Sequence, residues 1–540
     1  MAISLAGFRD RFTSRIPAIQ PGNSSFKWWV LATIMISTFM AVLDATIVNV
    51  ALAKLTVAFG TSTDLVAWVL TGYMLVFAVM LPASGWFADR FGYRATYMAG
   101  IFLFTLGSLL CSLSWNIFSL IAFRILQGAG GGLLQPVGMA IITREFPPEK
   151  RGVALGFWAI ASSASVSIGP TLGGYLIDNF NWQTIFDVNV PVGILGLAMA
   201  FFILREHKLA ETPRFDLPGF LSLSVFLGGL LLGLSEGNAA WNTDGWSSSF
   251  ILTCFGVSAG GLVVYVLSAL YTQRPLIDLT LFKDRDFGLS NVVLFVFGLG
   301  MFGSTFLLPL YLQNALGYTP LQAGMIFLPM GLLTAAFAPL SGILTDRVGS
   351  RIPLAIGLTL MAISMYQYRS LSMLSESASI MLPLYIRGIG MAFIFTPLSS
   401  VAISHIDPKK MARASGIINV VRQIGGSFGV ALFGTMLIRQ QAIYSNTFGQ
   451  SMDRYSAAFK HAMAGLTNFA VRATGGTVST GASKAQALLI ANMHTQSFVA
   501  AIGRIFLVAS IVIAAALVPV FLLKESYRKR TRHAGSAPAE

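Results

Sequence analysis

Fourteen long apolar runs divide the 540-residue chain, and they constrain its fold more than any other feature. They cover about residues 28–51, 65–87, 95–113, 117–143, 152–177, 185–203, 217–235, 249–271, 288–312, 321–343, 353–371, 378–403, 413–437 and 500–523. Runs of about 20 apolar residues are long enough to cross about 30 Å of hydrocarbon as helices. They are continuous and do not alternate with polar residues, which excludes a membrane β-barrel. The runs therefore predict an all-α integral membrane protein with fourteen transmembrane helices.

The composition is typical of a membrane protein, and the sequence contains no motif of an enzyme site. Hydrophobic residues make up 55% of the chain and charged residues 11%, whereas a soluble domain carries about 25% charged residues. Cys111 and Cys254 fall inside predicted helices, where apolar packing is a better interpretation than a disulfide or a metal ligand. The sequence has no phosphate-binding glycine loop with lysine, and no nucleophile–base or metal-ligand motif. We expect neither an enzyme nor a bound cofactor, and no use of ATP.

Lysine and arginine are distributed unequally between alternate loops, which predicts one orientation in the membrane. The short loops at 52–64, 236–248, 313–320 and 372–377 contain one basic residue, Lys54, whereas the short connections on the other side carry at least two each. Both termini are then cytoplasmic. This asymmetry explains the formal net charge of +14 without a nucleic-acid partner. The first residues mix arginine with apolar side chains and are expected to lie on the inner membrane surface, whose anionic lipids also suit the basic C-terminal tail.

A duplicated loop relates two halves of the chain. The loop after the second run reads Gly85-Trp86-Phe87-Ala88-Asp89-Arg90-Phe91-Gly92-Tyr93-Arg94, and the loop after the tenth reads Gly342-Ile343-Leu344-Thr345-Asp346-Arg347-Val348-Gly349-Ser350-Arg351. A second pattern matches Arg124, Gly128, Gly130 and Pro136 with Arg387, Gly388, Gly390 and Pro397. Repeated halves are a plan of secondary transporters. We predict a cytoplasmic tail at 1–27, six-helix bundles at 28–215 and 273–525, an inserted helix pair at 216–272, and a basic tail at 526–540.

These motifs resemble those of a known family. The motif Gly-x-x-x-Asp-Arg-x-Gly-x-Arg resembles the signature between helices 2 and 3 of the major facilitator superfamily. Residues 43–52 (Leu-Asp-Ala-Thr-Ile-Val-Asn-Val-Ala-Leu) resemble the first-helix motif of its fourteen-helix drug:proton antiporters, the EmrB/QacA type, although Ala53 replaces the usual Pro. The segment 124–130 resembles the fourth-helix motif linked to proton coupling. Gly156 and residues 169–174 resemble the fifth-helix antiporter motif, although Ser165 replaces the usual Gly.

The resemblance implies the major facilitator fold and a proton-driven exporter in a bacterial cytoplasmic (inner) membrane. Its substrates would be drugs or other hydrophobic or amphiphilic compounds, and its energy source the proton gradient. A dedicated exporter of one metabolite or lipid-like anion is the alternative, since the same motifs serve both. A membrane sensor or scaffold without transport is a more distant one.

Asp44 and Arg124 are the candidate proton-coupling residues. Each lies about seven residues from the outer end of its run, which places both about 10 Å below the outer surface. A carboxylate at this depth is functional by default, because the membrane penalises an unpaired charge. Burial opposes its charged form and a nearby arginine favours it, so Asp44 could exchange Arg124 for a proton. A structural salt bridge between the first and fourth helices is the alternative.

Two further groups of residues are predicted to act in conformational change. The duplicated loops supply candidate gating residues: Asp89, Arg90, Arg94, Asp346, Arg347 and Arg351. They could form ion pairs between helices at the inner surface, or simply lie in solvated turns. Gly169, Pro170, Gly173 and Gly174 form the antiporter motif. We expect them to bend the fifth helix and to seal the two halves, or to form a kink without that role.

Polar residues within or beside the runs are the candidates for a substrate cavity. They are Asn49, Tyr73, Gln127, Gln135, Gln313, Arg387 and Arg422. For each of the first five, a hydrogen bond between helices is the alternative to a substrate contact. Arg387 and Arg422 either bond to backbone carbonyls and neighbouring amides or face the cavity. In the second case the cavity wall would be electropositive and would suit anionic or weakly acidic amphiphiles.

The segment 438–499 is predicted to be a long outer loop. Tyr455, Phe459, Met463 and Leu466 recur at helical spacing, which predicts an amphipathic helix within it. The segment resembles the extended loop of EmrB-like exporters, some of which dock a periplasmic adaptor and, through it, an outer-membrane channel. A lid or a spacer is equally compatible with the sequence.

Overall fold

The computed structural model describes residues 23, 25–147, 150–208, 215–239, 241–272, 275–403, 406, 410–451, 455–474 and 477–524. The surface segment predicted near the N-terminus and the basic tail predicted at 526–540 lie outside these residues. Within them the chain forms helices joined by short loops, without strands.

Fifteen long helices make up the described chain. They are α1 (Phe26–Phe59), α2 (Thr63–Phe91), α3 (Tyr93–Ser112), α4 (Ile117–Glu145), α5 (Arg151–Asn179), α6 (Asn189–Ile203), α7 (Leu217–Glu236), α8 (Ser249–Tyr271), α9 (Arg285–Asn314), α10 (Pro320–Val348), α11 (Arg351–Gln367), α12 (Ser377–Ile403), α13 (Met411–Ser451), α14 (Ala457–Thr474) and α15 (Val478–Ala515). One helical turn, Thr184–Asp187, precedes α6, and a short helix, Leu517–Leu522, follows α15. All except α14 coincide with the fourteen predicted runs.

The helices are those of an integral membrane protein. Among the described residues, 12 helical stretches are long and apolar enough to cross a membrane by length and composition. The other two predicted spans, α5 and α11, are also helices. α5 contains a serine-rich segment at 162–167, and α11 has only 17 residues. Both lie within the helical assembly, α5 against α1 and α10, and α11 against α12 and α15.

The duplicated loops have the same backbone conformation in both halves. Gly92 ends α2 with φ 101°, and Gly349 ends α10 with φ 94°. Left-handed values of φ are available to glycine because it lacks a Cβ atom. The loops therefore turn the chain sharply into α3 and α11.

Helix packing repeats between the halves, but with a different register from the one predicted. A methyl group added at Gly128 would approach the carbonyl oxygen of Tyr73 to 2.6 Å, and one at Gly388 would approach that of Met330 to 2.6 Å. These equivalent contacts of α4 with α2 and of α12 with α10 align Gly128 with Gly388. Arg387 precedes Gly388 directly, so it corresponds to Gln127. The predicted match of Arg387 with Arg124 is wrong by three residues, because the arginines lie at different distances from the shared glycine.

The two halves, α1–α6 and α9–α15, meet at what we call the central seam, formed by α2, α4 and α5 on one side and α10, α12 and α13 on the other. The most extensive contact is that of α5 with α10, and α2 with α13 forms the opposite edge. The inserted pair α7–α8 contacts both halves through α7, which packs on α2 and α13.

The inserted pair is hydrogen-bonded to both halves near the predicted outer side. The hydroxyl groups of Ser235 on α7 and Thr71 on α2 are 3.3 Å apart. The Thr435 hydroxyl on α13 accepts hydrogen bonds from Asn238 Nδ2 at 3.0 Å and Trp246 Nε1 at 2.8 Å. The pair therefore bridges the α2–α13 edge of the central seam.

The segment predicted as a long outer loop is mostly helical. α13 continues to Ser451, and α15 begins at Val478, so both helices extend well beyond their predicted ends. The predicted amphipathic helix is present as α14, with Phe459 half-buried and Ala470 buried. α14 packs against the start of α15, where Gly481 lies beside Thr467.

Candidate functional site

Asp44 and Arg124 form an ion pair in the interior of the first half. Arg124 Nη1 donates to Asp44 Oδ2 at 2.6 Å, and neither side chain is exposed. Asn116 fixes the start of α4, seven residues before Arg124, because its side chain accepts from the backbone N–H of Ser119. The structure thus brings together the two residues selected by their equal depth.

Two amides complete the environment of the Asp44 carboxylate. Gln127 Nε2 and Asn189 Nδ2 each donate to Asp44 Oδ1 at 2.9 Å. All three partners of the carboxylate are donors, and they belong to α4 and α6, whereas Asp44 belongs to α1. Charge-assisted hydrogen bonds are roughly twice as strong as neutral ones, so the carboxylate links three helices.

Arg124 is held by several groups other than Asp44. Its Nε donates to the carbonyl oxygen of Val69 at 3.2 Å, and its Nη1 donates to Gln127 Oε1 at 2.6 Å. The guanidinium carbon lies 4.2 Å from the centre of the Tyr73 ring, a cation–π geometry. Arg124 is therefore fixed to α2 and α4 even without the carboxylate.

Asn189 was not recognised in the sequence. It is the first residue of α6 and is buried. Its Nδ2 also lies 3.1 Å from Ser108 Oγ, which donates to the carbonyl oxygen of Phe186 at 2.9 Å. It lies near the start of the predicted run 185–203, but no motif marks it, and only the packing of α6 against α1 and α3 brings it to Asp44.

Tyr73 and Gln127 were predicted to line a substrate cavity, but the structure places both in the ion-pair site. Tyr73 is 2% exposed and Gln127 is fully buried. Their contacts with Arg124 and Asp44 explain why these polar groups occur in membrane helices.

Asp89 and Asp346 occupy equivalent positions at the predicted cytoplasmic ends of the central seam. Arg413 Nη2 on α13 donates to Asp89 Oδ2 at 3.2 Å. Asp346 Oδ1 accepts from the backbone N–H of Gly152 on α5 at 3.3 Å. Each contact joins the two halves, so both aspartates help to close this side of the protein.

The predicted arginines of the duplicated loops have other surroundings. Arg94 Nη2 donates to the carbonyl oxygen of Phe201 on α6 at 2.9 Å. The Arg351 guanidinium lies 5.5 Å from the Phe521 ring centre. Arg90 and Arg347 are exposed at the helix ends. The described contacts of Arg94 and Arg351 are with their own half, and Arg90 and Arg347 lie at the surface.

The glycines of the antiporter motif provide close packing for α5. A methyl group at Gly169 would collide with Thr46, and one at Gly173 would lie 2.8 Å from Ile47. Both contacts are with α1, within the same half. Gly174 faces Leu321 of α10 across the seam at 3.4 Å, whereas Gly152 and Gly156 make closer contacts with that helix. The Pro170 side chain lies outside the described residues.

The other predicted cavity residues differ in accessibility. Asn49 and Gln313 are exposed. Arg387 is fully buried, and its Nη2 lies 2.6 Å from Thr305 Oγ1 and 3.3 Å from the carbonyl oxygen of Met301. Arg422 is partly exposed and donates across the central seam to Gln135 Oε1 at 2.8 Å. Arg387 therefore bonds to a backbone carbonyl and a hydroxyl, and Arg422 bonds to the side-chain amides of Gln135 and Asn419.

Known proteins are similar to this chain in sequence and in architecture. Residues 34–430 match the model of the Major Facilitator Superfamily. The probable multidrug resistance protein EmrY of Escherichia coli is 32% identical over 83% of this chain and 87% of its own. The fatty acid resistance protein FarB of Neisseria gonorrhoeae is 30% identical over 92% of this chain and 96% of its own.

A solved structure confirms the fold. The human organic anion transporter MFSD10 aligns with a TM-score of 0.57 and 15% identity, over 94% of this chain and all of its own. This likeness concerns the fold, whereas the family model and the sequence relatives identify a transporter of small molecules. The chain belongs to the major facilitator superfamily, as a multi-pass drug-efflux transporter of its EmrB-type branch.

Proposed function

We propose that the protein exports its substrates in exchange for protons, with Asp44 as the proton-binding group. The buried ion pair of Asp44 with Arg124 supports this proposal more than any other observation. It is a carboxylate inside a membrane helix, and each of its partners is a hydrogen-bond donor. Such a residue is a functional-site candidate by default.

Protonation changes the bonding of Asp44 in a defined way. A carboxylate only accepts, whereas a carboxylic acid also carries an O–H donor that Arg124, Gln127 and Asn189 cannot all accommodate. Arg124 keeps its contacts with Val69 and Tyr73 after Asp44 becomes neutral. Proton binding therefore loosens α1 from α4 and α6 while α4 stays in place.

The aspartates at the seam connect this change to alternating access. The contacts of Asp89 with Arg413 and of Asp346 with Gly152 hold the predicted cytoplasmic ends of the halves together. Opening towards the cytoplasm requires both to break. Rocking of two rigid halves about a central site is the expected motion.

The variant Asp44→Asn tests proton coupling directly. Asparagine is nearly isosteric with aspartate but cannot bind a proton at this position. In proteoliposomes we expect the variant to lose gradient-driven substrate accumulation, while exchange of labelled for unlabelled substrate continues. Retained accumulation would refute the proposal. Loss of both activities together with a clearly lowered melting temperature would favour a purely structural ion pair.

The membrane and the orientation are also proposals. The sequence relatives are bacterial, which supports the inner membrane of a bacterial cell, and the distribution of basic residues supports an orientation with both termini in the cytoplasm. Labelling of Tyr455, which is 86% exposed, tests the orientation after its replacement by cysteine. An impermeant maleimide should label intact spheroplasts at this position.

A partner is proposed for the outer helices. α14 and the outer ends of α13 and α15 project beyond the predicted spans. Phe469 on α14 and Tyr455, just before α14, are exposed. We expect this surface to dock a periplasmic adaptor that leads to an outer-membrane channel. Co-purification with a coexpressed adaptor, lost when 457–474 is deleted, would support this assignment, and unchanged co-purification would refute it.

A dedicated exporter of one lipid-like anion is the second candidate. It is favoured by the likeness to the relative named a fatty acid resistance protein. A resistance panel in an efflux-deficient bacterium separates the two functions, because a dedicated exporter protects against one chemical class only.

A further inference from the structure

Arg422 and Gln135 form a polar contact between the halves near the middle of the membrane. Arg422 lies 11 residues from the start of α13, and Gln135 lies 10 residues from the end of α4, or about 15 Å from the predicted inner ends. Arg422 Nη2 donates to Gln135 Oε1 at 2.8 Å and to Asn419 Oδ1 at 2.7 Å. The Arg422 guanidinium lies 5.3 Å from the centre of the Phe395 ring.

These two side chains retain unused donors. Within the described chain, Arg422 Nε and Nη1 and Gln135 Nε2 have no hydrogen-bond partner. Arg422 is partly exposed and Gln135 is 9% exposed, so neither side chain is completely enclosed. Arg387 differs, because its unpaired Nε and Nη1 are buried. Arg422 and Gln135 thus contribute reachable donors from both halves of the described chain.

The charge of Arg422 is uncompensated. In the described residues no carboxylate pairs with it, and the buried Asp44 is already neutralised by Arg124. A guanidinium in this environment repels cations and favours an anion that can accept several hydrogen bonds. The adjacent Phe395 and the partly buried Met74 provide apolar surface on both sides of the seam.

We propose that Arg422 and Gln135 bind the anionic head group of an amphiphilic substrate, such as a carboxylate. The inference rests on the proposed export function and adds the substrate class. Arg422 Nε and Nη1 present the donors for one head group, and Gln135 Nε2 adds a donor from the other half. The head group then holds α4 and α13 together, so binding and closure of the seam reinforce each other.

The test compares two probes that differ only in the head group. Dansylaminoundecanoate and its carboxamide are titrated against the full-length protein in phosphatidylcholine nanodiscs, and dansyl fluorescence is followed. We expect the carboxylate to bind about tenfold more tightly, the effect of one charge-assisted hydrogen bond. Arg422→Gln should remove this preference while carboxamide binding stays unchanged, and Gln135→Leu should weaken carboxylate binding several-fold.

Arg504→Gln is the matched control, because Arg504 is an exposed arginine on α15 and should leave the preference intact. Equal binding of the two probes by the wild type, or a preference that persists in Arg422→Gln, would overturn the proposal. Loss of carboxylate binding on addition of phosphatidylglycerol would assign the donors to a lipid phosphate and overturn the substrate assignment. Because the titration needs no gradient, its outcome is independent of the efflux test with Asp44→Asn.

Discussion

Closure at the predicted cytoplasmic side depends on backbone contact between Gly342 and Gly152. A methyl group at Gly342 would lie 2.5 Å from the carbonyl oxygen of Gly152 and 2.9 Å from Val153 Cα. Carbon–oxygen contacts normally lie at about 3.3–3.6 Å, so Gly342→Ala requires the two helices to separate by about 1 Å. Both neighbours are backbone atoms, and no flexible side chain can yield instead.

Overpacking of this kind costs about 1–3 kcal/mol. A difference of 1.4 kcal/mol is a factor of about ten in an equilibrium constant. We therefore expect the ratio of cytoplasm-closed to cytoplasm-open protein to fall by about 5- to 150-fold in Gly342→Ala. The equivalent Gly85→Ala should have a smaller effect, because its methyl group would meet Arg413 at 3.0–3.2 Å, part of which is a flexible side chain.

Distances between spin labels at Phe91 and Val348 measure this ratio. Both side chains are exposed, at 54% and 39%, and they belong to different halves. Gly228→Ala in α7 is the control, because a methyl group there meets no atom within 4 Å. If Gly342→Ala left the distance distribution like that of the control, or if Gly85→Ala opened the protein more, then glycine contact would not govern closure.

Three further predictions concern the polar contacts. Asp89→Arg or Arg413→Asp alone should reduce efflux, because each sets two like charges against one another at a nearly buried contact. The exchanged double variant should recover part of the efflux in a resistance assay. Asn189→Leu should lower gradient-driven efflux about tenfold, because it removes one hydrogen-bond donor to the Asp44 carboxylate. Substrate exchange and the melting temperature should stay near the wild-type values. Equal losses of gradient-driven efflux and of exchange would contradict a role of Asn189 in proton coupling. Partial burial raises the pKa of the Asp278 carboxyl. Hydrogen bonds from Lys410 and Thr280, together with the Lys410 charge, lower this pKa by a larger amount, so the net shift is downward. Because the folded state lowers this pKa, the ionised Asp278 stabilises the fold at pH values above the ordinary pKa of aspartate. Asp278→Asn should therefore melt at a lower temperature than the wild type at neutral pH, and the two melting temperatures should converge below about pH 4. A difference in melting temperature that stays constant from neutral pH to below about pH 4 would exclude the ion pair as its cause.

Much of the architecture could be predicted because the membrane imposes simple rules. Continuous apolar runs have to become helices, and the loops at Gly92 and Gly349 need residues that tolerate positive φ. The depth of Asp44 and Arg124 could be counted from the run ends, since helical rise is constant. These expectations depend only on local sequence and helix geometry.

Contacts between distant helices could not be predicted in the same way. Asp89 and Arg413 are 324 residues apart, and nothing in their local sequence indicates that they meet. The predicted alignment of α12 with α4 was wrong for a related reason. It matched Arg387 with Arg124, but the packing of Gly128 and Gly388 excludes that equivalence. Neither motif contains information about the neighbouring helix.

The inserted pair also has a consequence for lipid access to the central seam. α7 packs on α2 and α13, its Ser235 contacts Thr71 of α2, and Asn238 in the loop that follows α7 donates to Thr435 of α13. Hydrocarbon chains are thereby excluded from this edge. In the described helices no comparable cover lies over the α5–α10 edge. The α5–α10 edge is instead closed by direct contact between the halves, so the two flanks of the transporter present different surfaces to lipid.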